Sequence, residues 1–163
     1  MLLQCSTSWR VKLERGITLA DYPSRFIKRH SETNTYIIRD DAFFEKNVHV
    51  RGNLITGKNV HFWGDLVVEG SLDLGQGSIV NGSVEAESAV LGMNSVIRGV
   101  LVASDDVTIM GGVRLGEVVS EGSVSVKPDA VIDRVVAKGN VEIDGKASIG
   151  FVSAKGKVVV KKP

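Results

Sequence analysis

Gly82-Ser-Val-Glu-Ala86, Gly99-Val-Leu-Val-Ala103, Gly116-Glu-Val-Val-Ser120, Asp133-Arg-Val-Val-Ala137 and Gly150-Phe-Val-Ser-Ala154 follow one another at a spacing of seventeen residues. A fixed period of this length is the signature of a repeat architecture in which each repeat stacks on its neighbours. Between these segments the apolar anchors step by six, six and five. The series runs Leu101, Val107, Val113, then Val118, Val124, Ala130, then Val135, Val141, Ala147, and finally Val152 and Val158. Three short strands therefore make one turn, and we number the sides one, two and three after Leu101, Val107 and Val113.

Read backwards, the ladder continues through Val84, Val90 and Val96, then Leu66, Leu72 and Ile79, then Val48, Leu54 and Val60, and reaches Tyr36 and Ala42. One extra residue is expected near Gly75-Gln76-Gly77. Most anchors have an apolar or small partner two residues on, as in Val107/Ile109, Val124/Val126 and Val141/Ile143. That period of two belongs to a strand with one face inward, whereas a helix needs about 3.6. Gly, Asn and Asp between the pairs supply the backbone angles of corners. The pattern predicts an all-β domain over residues 35–163, a three-sided parallel β-helix of 17–18 residues per turn and about seven turns, stacked about 4.8 Å apart. The general preference for right-handed parallel crossovers points to a right-handed coil.

The run of Gly-x-Val-x-Ala units and Val-x-Ile pairs, such as Val84-Glu-Ala86, Val107-Thr-Ile109 and Val141-Glu-Ile143, resembles the bactofilins, the polymer-forming cytoskeletal proteins, over about residues 36–160. The resemblance implies a right-handed β-helix with a triangular aliphatic core that assembles end to end into non-polar filaments without nucleotide. It also implies attachment to membranes through a short N-terminal tail. Bactofilin tails are usually disordered, whereas residues 8–29 of this chain read as structured.

Composition separates those residues from the rest. Of 26 valines only Val11 precedes Val48, while eight of nine aromatic residues lie at or before Trp63. Residues 1–34 carry a net charge of +3 and the remainder −2. Trp9, Val11 and Leu13 alternate with charged residues as in a strand, and Thr18 is placed to cap a short helix ending near Arg29. Ser31-Glu32-Thr33-Asn34 then reads as a linker. Residues 1–34 are expected to cap or pack on the solenoid, since such stacks need covered ends. The second reading is a membrane contact through Met1, Leu2, Leu3 and Trp9 beside the basic side chains.

The 163 residues are 43% hydrophobic and 24% charged with a formal charge of +1, an ordinary globular composition with too little positive charge for a dedicated nucleic-acid binder. A single cysteine, Cys5, excludes an internal disulfide and a cysteine-based zinc cluster. Apolar runs stop far short of the roughly 20 residues of a membrane span. A cytoplasmic protein, peripheral to the membrane at most, is expected.

Catalytic patterns are weak. Hexapeptide-repeat acyltransferases share a three-sided solenoid and use a loop histidine, but His49 and His61 fall at outward parity on different sides. Asp40-Asp41 and Asp105-Asp106 read as corners, and Gly111-Gly112 precedes no helix that would hold phosphate. No catalytic residue, cofactor, metal or small-molecule substrate is expected.

Two apolar features stand out instead. Side one carries Val67, Val102, Val119 and Val136 at outward parity, interrupted by Glu85 and ending in Ser153. A strand apolar on both faces is normally covered on both, here by the N-terminal segment, a neighbouring copy or a partner protein. The second is the C-terminal turn, where Phe151, Val152, Val158 and Val160 are expected to form an open layer able to pair with another copy. These features predict a structural scaffold forming filaments or oligomers. An acyltransferase-like solenoid enzyme and a monomeric binding platform are the alternatives.

Overall fold

The computed structural model describes residues 17–18 and 27–161. Among them the only helix or strand class present is the β-strand, and the strands form two sheets. The first five are β1 (Ile17–Thr18), β2 (Ile27–His30), β3 (Thr35–Ile38), β4 (Phe43–Phe44) and β5 (Val48–Val50). From β3 onward the chain winds through sides two, three and one in turn, and each strand pairs in parallel with its counterpart one coil later. The result is a parallel β-solenoid of about seven coils.

Side two is a nine-stranded sheet from β2 to the strand Val158–Lys161. Sides one and three share the second sheet because, from the fourth coil on, one strand bends through both: Val96–Ala103, Arg114–Ser120, Val131–Ala137 and Ser148–Ala154. In earlier coils the same path is split, as in β4 and β5.

The core is a continuous aliphatic column with two stacked rings near its N-terminal end, Phe44 and Phe62, whose centroids lie 5.1 Å apart. Inward pairs such as Leu54/Thr56, Val107/Ile109 and Val124/Val126 are buried, and the residue between each pair faces out. At roughly 1.5–3 kcal/mol for each fully buried aliphatic side chain, only the stack as a whole is stable.

The anchors of two coils differ from the sequence expectation. Ile79, Val90 and Val96 lie outside, and the buried positions are Ser78, Ala89 and Ser95. The short corner of the third coil lies between Val84 and Ala89, not before side one, and no extra residue intervenes near Gly75-Gln76-Gly77. The two serines are satisfied inside the wall of the prism. Ser78 donates to Gly57 O at 3.3 Å and accepts from Val60 N at 3.2 Å, while Ser95 donates to Gly75 O at 3.0 Å. A small hydroxyl that reaches a backbone partner costs little to bury.

One corner per coil, between sides two and three, uses a left-handed backbone. Asp41, Asn59, Gly77, Asn94, Gly112 and Asp129 occupy it in successive coils with φ between 57° and 74°. These are the residue types that tolerate this region. Other corners are tied by side chains that accept the next coil's amide: Asn47 from Asp65, Asp65 from Ser83 and Ser83 from Val100 in one column, Asp106 from Ser123, Ser123 from Asn140 and Asn140 from Lys157 in another. Asp40 does the same for Lys58, so Asp40 and Asp106 are structural acceptors.

The expected helix ending near Arg29 is corrected where it can be followed. Ile17–Thr18 and Ile27–His30 are strands. β1 pairs in parallel with β5, and β2 pairs antiparallel with β3. Ile27 is buried while Lys28, Arg29 and His30 are exposed, so the basic run is the outer surface of a hairpin. Ser31–Asn34 is its turn, closed with Asn34 at φ 50°, and Asn34 Nδ2 donates to Arg51 O. The strand expected around Trp9–Leu13 lies outside the described residues, as do Met1, Leu2, Leu3 and Trp9.

Candidate assembly surfaces

The last coil is made by Ser148–Ala154 and Val158–Lys161. Each pairs with the preceding coil on one edge, and among the described residues no strand occupies the other. The missing neighbour is visible in the burial. Val141 and Ile143 are buried, whereas Val158 and Val160, stacked directly on them, are 48% and 65% exposed. Val152 is half-buried, packed on the core beside Ile149 and Ala154. Phe151 is exposed, and the Arg134 guanidinium lies 5.1 Å from its ring centroid. Phe151, Val152, Val158 and Val160 are thus brought to one end of the prism, with a free backbone edge beside them.

The rim of this end on side two is charged. Lys127 Nζ donates to Asp144 Oδ2 at 2.8 Å, and Lys161 Nζ reaches Glu142 Oε1 at 2.9 Å. The hydrogen bond from Lys127 holds the Asp144 carboxyl below its ordinary range against the opposing effect of burial. The hydrogen bond to Glu142 raises Lys161.

On side one the registers stack His49, Val67, Glu85, Val102, Val119, Val136 and Ser153 in one outward row. Val102 is 42% exposed and Val67, Val119 and Val136 are half-buried. The described N-terminal strands lie at the end of the stack, on β5 and β3, and not over Val102, Val119 and Val136.

A third surface was missed by the sequence reading. On side three near the N-terminal end, Phe43, His61 and Trp63 form an outer aromatic cluster, with centroids 5.3 Å apart for Phe43 and His61 and 5.7 Å for His61 and Trp63. Phe43 and Trp63 stay more than half exposed. Aromatic residues at outward parity in consecutive coils, Phe43 and His61, were the available signal.

The two solenoid histidines have separate partners. His49 Nε2 meets Glu69 Oε2 at 2.6 Å on side one, while His61 Nε2 lies 3.3 Å from Asn81 Nδ2 on side three. Among the described residues no three His, Cys, Asp or Glu side chains are grouped to hold a metal ion, and no helix is long and apolar enough to cross a membrane. Fold and surfaces together define a parallel β-solenoid whose C-terminal end and side one present valine to solvent. No protein-family model, curated protein or solved structure matches the chain.

Proposed function

We propose that the protein is a structural scaffold, bactofilin-like, that self-assembles end to end through its C-terminal coil without nucleotide and without catalysis. The observation that carries this reading is the contrast between the two ends. β1 and β2 pair onto the first coil, whereas among the described residues Val158 and Val160 are left open beside an unpaired edge. A facing copy of the same coil buries both valines together with Val152 and Phe151 and extends the backbone ladder. Like ends meet about a two-fold axis, the commonest closed symmetry. With strands already on the N-terminal coil the assembly stops at a dimer, and displacing them lets filaments grow. The expected location is the cytoplasm, with Met1, Leu2, Leu3 and Trp9 as the segment for any membrane attachment.

Sedimentation of the Phe151→Arg, Val158→Arg variant tests this. A charge at either position must be desolvated by both copies, a cost of several kcal/mol for the pair. The variant is expected to fold and to sediment one step smaller than wild type. An unchanged assembly size in a folded variant rules the end contact out.

A further inference from the structure

Charge is unevenly distributed along the solenoid axis, with an acidic stretch between two basic ends. Residues 59–97 hold five carboxylates and no lysine or arginine, whereas residues 122–161 hold seven lysines and arginines against four carboxylates. On side one this asymmetry borders the exposed valines. The residue that follows each side-one strand lies one coil from the next, and the column reads Arg51, Glu69, Glu87, Ser104, Glu121, Lys138 and Lys155, of which Glu69 to Lys155 each donate the N–H to the coil before. Their side chains lie over the outer face: Glu69 reaches His49, and Lys138 reaches Glu121, each in the adjacent coil.

We infer that side one is a second self-association surface, on which two copies lie antiparallel with Val102 of each facing Val119 of the other. A two-fold axis running along the strands turns the stack end for end but keeps each column opposite itself. If the axis lies midway between the coils of Val102 and Val119, Glu87 meets Lys138 and Glu69 meets Lys155, twice each by symmetry. Displacing the axis by half a coil instead sets Glu87 against Glu121. A parallel arrangement, whose two-fold runs along the stack and reverses the strands, sets the column against the residues two before each valine, so that Glu69 meets Asp65, Glu121 meets Glu117 and Lys138 meets Arg134, again like charges. Charge complementarity thus selects both the orientation and the register, and the valines supply the apolar centre that a self-complementary contact needs.

The contact is small. About six coils at 4.8 Å by five residues at 3.3 Å give roughly 480 Å² per copy, below the ~800 Å² of a standard stable interface. Lateral pairing is therefore weak and weakens further as salt rises. It extends the proposed self-assembly to a different surface and is independent of the end contact.

The test uses full-length chains carrying Phe151→Arg and Val158→Arg, so that the end contact is absent, and measures association by sedimentation at low salt. That background is expected to self-associate reversibly. Adding Glu69→Lys with Glu87→Lys, or Lys138→Glu with Lys155→Glu, is expected to weaken association about tenfold or more in either pure variant. Mixing the two variants restores it, because every contact in the mixed pair again joins opposite charges. No association of the background chain at low salt, or a mixture no stronger than its components, overturns the proposal. A background chain that keeps the wild-type assembly size instead overturns the end contact and leaves the charge-exchange result to decide side one alone.

Discussion

The first three coils and the last three solve the same packing problem with different side chains. The early coils bury Phe44, Phe62, Leu54, Leu66, Leu72 and Leu74, while the late ones bury Val118, Val124, Val126, Ala130, Val135 and Val141. The path from side three to side one spans four residues from Phe62 to Leu66 but only three from Leu115 to Val118. A larger core therefore accompanies a longer perimeter. One residue of strand adds about 3.3 Å of wall, and the phenyl rings fill the extra section. Val96–Ala103 keeps the four-residue path, from Ile97 to Leu101, and already runs through both sides as one strand; the path then shortens to three within Arg114–Ser120.

The largest effect expected from this difference is on stability. Phe62→Ala removes a ring stacked on Phe44 in the wide section and is expected to cost ~3–5 kcal/mol in chemical denaturation. Val124→Ala in the narrow section removes two methyl groups and is expected to cost about 2 kcal/mol. Equal losses would falsify the distinction between a filled wide section and a filled narrow one.

The left-handed corner sharpens the comparison because both halves share it. Asn59→Val in the wide section and Asp129→Val in the narrow one each force a β-branched residue to φ near 60°, and each is expected to cost about 1–3 kcal/mol. Replacement by glycine is expected to be close to neutral at both. A large cost at one corner alone means that the surrounding packing, not the backbone angle, sets the penalty.

The smallest effect is electrostatic and is confined to the late coils. Asp144 titrates below its ordinary value in the folded chain, so its contribution is present at neutral pH and is lost as pH falls through the lowered value. Lys161 titrates above its ordinary value, so its contribution holds below that value and is lost as pH rises through the raised one. The wild type is expected to lose a little more thermal stability at acid pH than Asp144→Asn, in melting temperatures followed from neutral pH down to about 3. Identical acid slopes would remove Asp144 from the account.

The late coils were legible in the sequence because Val-x-Val and Val-x-Ile pairs recur there at an unbroken seventeen. The early coils were less so. Ser78 and Ser95 are polar residues in core positions, made acceptable by hydroxyl bonds to the neighbouring coil that no single-sequence pattern records. Next to them Ile79, Val90 and Val96 are apolar and outward, so hydropathy alone favours the wrong register by one. Ile27–His30 read as a helix end because one buried isoleucine before three basic residues fits either period, and its pairing with β3 is a long-range fact. The C-terminal layer was readable because side-chain parity on a strand determines which residues an unpaired last coil leaves open. The aromatic cluster was overlooked although its signal was there: His61 and Trp63 stand two residues apart at outward parity, and the coil register sets Phe43 on His61.

The corner column Asp106, Ser123 and Asn140 passes one side-chain bond from each coil to the amide of the coil after it, and the next position is Lys157. A lysine has donors only, so the receiving half of that interaction exists at this coil but the giving half does not. The same happens in the column of Asn47, Asp65 and Ser83, which ends at Val100. Stacking by this rule has a direction, and the direction runs out within the chain. A further coil added in head-to-tail sense beyond Lys157 would meet no oxygen hook, while a coil turned to face it needs none. Past Val100 the coils of Glu117, Arg134 and Phe151 nevertheless stack in the same sense, so the corner bonds give the coils they join a direction while the backbone ladder alone carries the stack where they stop.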